Sequence, residues 1–303
     1  MKIFSGSSNV PLAEKIAQSL NVTLSPREIF LFPDGERRIQ LQEQVVDEDC
    51  LLVQSTATPA DTNYMELFFL VDALKRSGAR SVTLIMPYVG YQRQDHVFRS
   101  GEAVSMQLII KTLQAAGVDR LICVDLHALR IQELFNIPVT HLSALPLFAD
   151  EIKKQYVNGL DSVLVSPDMG GIRRIKKMSE LLSDMPYVTI VKNRDLATGN
   201  VEMSEIEGEV TRSALIVDDM ISSGKTIVKA ANLLKEQGAE EIMVFATHAV
   251  FSDEAPTLLQ ESIVKAVYVT DSVNVPEEKL FSKLHILSVS DMVAEQIKLD
   301  FES

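Results

Sequence analysis

The feature that most constrains this chain is a pattern that occurs three times: a helical stretch ending in Gly, a short polar step, then a β-branched apolar run. Leu74-Lys75-Arg76-Ser77-Gly78 leads to Val82–Met86, Leu113-Gln114-Ala115-Ala116-Gly117 to Leu121–Val124, and Leu234-Lys235-Glu236-Gln237-Gly238 to Ile242–Phe245. Gly is favoured just past a helix C-terminus, and unbroken Val/Ile/Leu runs read as strands covered on both faces. Alternation of this kind predicts an α/β fold on mainly parallel sheets. Ser162–Val165, Tyr187–Val191 and Ala214–Val217 are further candidate strands, so both halves of the chain read alike.

With 303 residues, the chain exceeds what one core comfortably supports, and two domains are expected. The least periodic stretch between the halves is Ile137–Ser143, which puts the boundary near residue 145 and the domains at 1–145 and 146–303. The tail from Ile286 to Leu299 reads as a strand and an amphipathic helix, open to packing on either domain, the N-terminal one included. Charge excludes one class of partner. The 29 Lys and Arg stand against 42 Asp and Glu, a net of −13, the wrong sign for general nucleic-acid binding. An anionic ligand then needs a local basic pocket or a metal. Cys50 and Cys123 lack any disulfide or zinc spacing, and the early polar residues Ser5-Gly6-Ser7 do not suit a signal peptide. No apolar run reaches the roughly 20 residues that span a bilayer. A cytoplasmic protein without membrane partners is expected.

In open parallel sheets, ligands bind beyond the carboxyl ends of strands, so polar residues that follow apolar runs carry the chemistry. The sharpest segment is Ala214–Ile227, where a strand ends in Asp218 and Asp219 and a hydroxyl- and Gly-containing loop leads into a helix. Such a loop offers backbone N–H groups and a helix N-terminus to a phosphate, with Ser222, Ser223 and Thr226 as hydroxyl donors. The two carboxylates suit vicinal sugar hydroxyls. A nucleotide P-loop is excluded, because Asp219 stands where that motif needs its first Gly. The same residues also read as an N-capped helix with exposed acids.

Three other segments follow the same logic. In Ser166–Arg174, Gly170 and Gly171 allow close backbone approach to an anion that Arg173 and Arg174 could neutralise, or they form a plain turn before a basic helix. In Cys123–Ala128, His127 could ligate a metal or its water, or simply satisfy a strand end. Tyr91–His96 mixes a cation, an amide and an acid. His141, His248 and His285 read as structural.

Together these segments resemble ribose-phosphate pyrophosphokinase along nearly the whole chain. The resemblance lies in Phe32-Pro33-Asp34-Gly35-Glu36, Arg93-Gln94-Asp95, Asp125-Leu126-His127-Ala128, Ser166–Arg174 and Val217–Thr226, in the family's order. It implies two similar α/β domains of the phosphoribosyltransferase type, with the active site between them and shared across a subunit contact, hence a homo-oligomer with a dimer as minimal unit. It implies ATP, ribose 5-phosphate and Mg²⁺ as small-molecule partners, and phosphoribosyl pyrophosphate and AMP as products. By resemblance, Asp218 and Asp219 hold the ribose hydroxyls, and Ser222, Ser223, Gly224, Lys225 and Thr226 hold its phosphate. Asp168, Gly170, Gly171 and Arg173 form the pyrophosphate loop, with Asp168 and His127 on the metal side. Arg93, Gln94 and Asp95 contact ATP, and Phe32, Asp34 and Glu36 bind its adenine from the neighbouring subunit. Lys192 and Arg194 match the cations of the family's mobile catalytic loop.

Two departures bear on this reading. Lys225 stands where much of the family has glycine, and Phe98–Ala103 lacks the Arg-x-Pro character of the classical, allosterically regulated members, more similar to the archaeal-type branch. Two rival functions remain: a phosphoribosyltransferase that consumes phosphoribosyl pyrophosphate, and a catalytically inactive regulatory subunit of the synthase.

Overall fold

The computed structural model describes residues 1–97, 99–155, 161–194, 201–252 and 254–302, with the backbone alone for 155, 192–194, 201–204 and 302. The chain divides into two compact units. The first comprises Met1–Leu142, Ser272–Asn274 and Ser288–Ser303; the second comprises Ser143–Asp271 and Val275–Leu287.

The first unit runs β1 (Lys2–Ser5), α1 (Val10–Ser19), β2 (Arg27–Leu31), β3 (Arg37–Leu41), β4 (Asp49–Val53), α2 (Ala60–Arg76), β5 (Ser81–Met86), α3 (Ser105–Ala116), β6 (Arg120–Val124) and β7 (Val139–Leu142). Its main sheet has the order β1-β4-β5-β6-β7, parallel throughout. The repeated sequence pattern appears as expected, because Gly78 and Gly117 take φ of 87° and 110° just past α2 and α3. β2 and β3 form a separate antiparallel ribbon, and the Phe32–Glu36 turn joins them. Val139–Leu142 lies in the stretch that reads as a connection. It is instead an edge strand, half-buried along its length, which is why no apolar run marks it. Cys50 and Cys123 are free thiols inside this unit's core.

The second unit runs α4 (Leu145–Gln155), β8 (Ser162–Ser166), α5 (Ile172–Leu181), β9 (Tyr187–Arg194), β10 (Val201–Glu207), β11 (Ser213–Ile221), α6 (Lys225–Glu236), β12 (Glu241–Ala249), α7 (Ala255–Glu261), β13 (Ala266–Thr270) and β14 (Leu284–Leu287). The sheet order is β10-β9-β8-β11-β12-β13-β14, with only β10 antiparallel to its neighbour. The chain leaves β8 toward β9 on one side, then resumes at β11 on the other. That reversal is a topological switch point, where loops diverge and open a crevice beyond the carboxyl ends of β8 and β11. The first unit's order increases steadily from β1 and contains no such reversal.

The tail divides. β14 closes the edge of the second unit's sheet, whereas α8 (Ser290–Glu302) belongs to the first unit and packs on α1. Val293, Ala294 and Ile297 on α8 are buried there. Among the described residues no helix is long and apolar enough to cross a membrane.

Candidate active site

β11 carries Asp218 and Asp219 past the end of its partner. β8 accompanies it only to Ile216, while β12 continues beside it to Ile221. The vacated flank is taken by Arg174, the third residue of α5, whose Nη1 donates to Asp218 Oδ1 at 2.8 Å and whose Nη2 lies 3.2 Å from Asp219 Oδ1. Asp218 Oδ1 also accepts from the Asp219 backbone N–H at 2.8 Å. Arg174 and Asp218 keep about a fifth of their side-chain surface exposed, and Asp219 is buried. Burial first, and then the neighbouring Asp219 charge, raise the Asp218 pKa to about 8, with Arg174 opposing the rise.

The turn after β11 brings the hydroxyls to the start of α6. Gly224 takes φ of 74°, the left-handed region open to glycine, and α6 begins at Lys225. The departure at Lys225 therefore needs no unusual backbone: the left-handed residue is its neighbour, and Lys225 is an exposed first helical residue. Ser222 Oγ lies 3.0 Å from Ser252 Oγ, which fixes the turn against the segment that follows β12. This bend joins hydroxyls, helix N-terminal N–H groups and an ammonium, a set suited to a phosphate.

The loop after β8 is held from within. Asp168 Oδ1 accepts from Gly170 N–H at 3.0 Å and Gly171 N–H at 3.3 Å. The N–H groups expected to meet an anion are thus capped by the loop's own carboxylate. A Cβ on Gly171 would collide with Ser166 Oγ, so glycine there is a matter of close approach. Of the two arginines expected to neutralise an anion, Arg173 is exposed and Arg174 faces the acid pair. No motif spacing signals that pairing; it follows from α5 packing beside β11.

The remaining predicted residues lie in the first unit. Phe32, Asp34 and Glu36 sit on the exposed turn of the ribbon, where Asp34 Oδ1 accepts from Glu36 N–H at 3.1 Å and Phe30 and Phe32 meet edge to face with centroids 4.9 Å apart. Arg93 and Gln94 are exposed. Asp95 is engaged within the first unit. Its carboxylate, 3% exposed, accepts from Arg130 Nε at 2.7 Å and Nη2 at 2.9 Å and lies 2.6 Å from His96 Nδ1. The Arg130 guanidinium above all holds Asp95 down at about 2. His127 is exposed, its N–H received by Gln92 Oε1 at 2.8 Å, while the preceding Leu126 N–H is received by His141 Nε2 at 2.9 Å. Gln92, which sequence reasoning left without a role, and His141, read as structural, therefore anchor the segment that carries His127.

Lys192 and Arg194 are expected on a loop. Their backbone is strand instead, in β9, where Lys192 pairs with Met203 and Arg194 with Val201 of β10; their side chains lie outside the described residues. Phe98 also lies outside them.

Residues 1–117 match the model of the N-terminal domain of ribose phosphate pyrophosphokinase, and residues 160–303 match that of the phosphoribosyl synthetase-associated domain. A ribose-phosphate pyrophosphokinase of Fusobacterium nucleatum is 42% identical over 300 residues, covering 98% of this chain and 94% of that protein. Ribose-phosphate pyrophosphokinase 1 of Streptococcus mutans is 40% identical, covering 98% and 92%. The crystal structure of phosphoribosylpyrophosphate synthetase from Mycobacterium smegmatis superposes with a TM-score of 0.94 at 35% identity, covering 99% and 98%. These relatives are bacterial and give no support to the archaeal-type likeness read from Phe98–Ala103. Matched by relatives of this identity along almost its whole length, the chain belongs to the ribose-phosphate pyrophosphokinase family.

Proposed function

We propose that the protein transfers the diphosphoryl group of ATP to the 1-hydroxyl of ribose 5-phosphate, giving phosphoribosyl pyrophosphate and AMP. The observation that carries this reading is the acid pair Asp218–Asp219 joined to a phosphate-binding bend at the switch point of the second unit. Asp218 and Asp219 accept the vicinal ribose hydroxyls, and Ser222, Ser223, Gly224, Lys225 and Thr226 receive the phosphate. Binding at both ends aims the anomeric hydroxyl at the β-phosphorus; its oxygen bonds to that phosphorus, its proton is released, and the bond to AMP's bridging oxygen breaks. Phe32, Asp34, Glu36, Arg93 and Gln94 take the nucleotide, with Asp95 acting through Arg130. The loop of Asp168, Gly170, Gly171 and Arg173 takes the diphosphoryl group. The exposed Phe32 turn suits the neighbouring subunit of a homo-oligomer, a dimer at least.

Among the described residues no cluster of three or more His, Cys, Asp or Glu forms a metal cage. That fits Mg²⁺, which commonly keeps its waters and binds through one or two carboxylates plus substrate phosphates. Asp168 would supply the carboxylate and His127 would meet metal-bound water, and the bound ion would neutralise phosphate charge. Lys192 and Arg194 supply cations for the charge that develops at the diphosphoryl group, so replacing either with Ala should lower kcat by about 10²- to 10⁴-fold with little change in KM.

The test is AMP production from ATP, Mg²⁺ and the sugar. AMP should form only when ribose 5-phosphate is present, stop on chelation, and return when Mg²⁺ is restored. A phosphoribosyltransferase would form none. A catalytically inactive regulatory subunit would bind ribose 5-phosphate without forming AMP.

A further inference from the structure

The cation sitting on the acid pair has a role that neither motif nor family resemblance assigns. Arg174 reaches both carboxylates, at 2.8 and 3.2 Å, from the first turn of α5. The 3-10 turn Met169–Gly171 that leads into that helix is capped by Asp168 and packs closely on Ser166 through Gly171. The charged groups acting on Asp218 are Asp219 on its own strand and Arg174 on α5, and β12 places Ala246 beside it.

Two adjacent carboxylates in a confined setting resist carrying two charges. A protonated carboxyl donates where a sugar hydroxyl needs an acceptor, so the pair holds a diol well only when both members are ionised. A guanidinium spans two carboxylates with fixed geometry, which an ammonium, a point charge on a flexible stem, does not.

We propose that Arg174 is a positioning residue for the sugar phosphate: its guanidinium bridges Asp218 and Asp219, holds them in one orientation, and favours the state in which both are charged acceptors for two neighbouring hydroxyls. The proposal rests on reading this pair as the ribose 5-phosphate site. It replaces the sequence expectation that Arg174 meets a phosphate anion.

The test is calorimetric titration of ribose 5-phosphate, without nucleotide or metal, into the full-length protein and its Arg174→Gln, Arg174→Lys, Asp218→Asn and Arg174→Gln/Asp218→Asn variants. Titrations span mildly acidic to alkaline pH, and thermal melts check folding. Arg174→Gln should weaken binding about tenfold near neutrality, and the pH at which binding strengthens should move up by about one unit. Arg174→Lys should fall between the two. On the Asp218→Asn background, Arg174→Gln should produce no pH displacement. Unchanged binding in Arg174→Gln, or a loss of equal size at every pH, overturns the proposal while leaving the ribose site standing. Should Arg174→Gln fail to fold, Arg174→Lys decides, and wild-type affinity and pH dependence there also overturn it. If the wild-type protein does not bind the sugar phosphate, or Asp218→Asn binds it as tightly, the site reading itself fails and the proposal with it.

Discussion

Asp95 and Asp218 are both acids beside an arginine, yet they are displaced in opposite directions. At Asp95 a two-pronged Arg130 contact outweighs burial, whereas at Asp218 burial and a second carboxylate outweigh Arg174. The pH dependence of stability therefore has opposite signs. Asp95 binds its proton less readily folded than unfolded, so its contribution is present above the ordinary carboxylate range and is lost as pH falls toward about 2. Arg130→Ala should lower stability near neutrality, only modestly because Arg130 is 56% exposed, and the loss should vanish in acid. Urea unfolding at both pH values measures it. Asp218 holds its proton more tightly folded than unfolded, so its contribution is lost as pH rises through about 8. Asp218→Asn should flatten the fall in melting temperature between the ordinary carboxylate range and about pH 8 while weakening sugar binding, and a melting series shows whether it does.

At the scale of elements, two loops of the second unit need glycine for different reasons, and the same substitution should separate them. Gly224 has a left-handed backbone, with only ordinary contacts awaiting a Cβ, the nearest Leu259 Cγ at 3.5 Å. Gly171 has an ordinary φ of −82°, but a Cβ there collides with Ser166 Oγ. Gly171→Ala should raise the KM for ATP, and adding Ser166→Ala should recover much of the loss, less about 1 kcal/mol for the hydrogen bond from Ser166 Oγ to Asp168 C=O. No second substitution of this kind should rescue Gly224→Ala, whose strain of about 1–2 kcal/mol is in the backbone. Steady-state kinetics of the single and double variants decide the matter. The contrast also shows what was legible in sequence. Buried parallel strands advertise themselves as apolar runs, so the acids that follow the apolar run of β11 and the bend beyond them stood out. β7 did not, because a half-buried edge strand has no such run. The Arg174 bridge and the Asp95–Arg130 pair were invisible, since each joins residues at least 35 positions apart through packing that periodicity does not encode.

The whole molecule sets a long-range condition on these local devices. A net charge of −13 repels the anionic substrates of the proposed reaction, whereas the start of α6 and Lys225 attract the sugar phosphate at short range. The two fields differ in reach, so salt should tell them apart. Raising ionic strength from about 0.01 to 0.15 M shortens the screening length from about 30 to about 8 Å, which removes far repulsion before it weakens contacts within the bend. The KM for ribose 5-phosphate should then fall by about two- to tenfold over that range, with kcat nearly constant, when an inert monovalent salt is varied at fixed Mg²⁺. A KM that rises with salt would mean that near cations dominate the approach of the sugar phosphate. In that case Lys225→Gln should abolish the salt dependence; if repulsion dominates, Lys225→Gln should raise KM at every salt concentration and leave the downward trend intact.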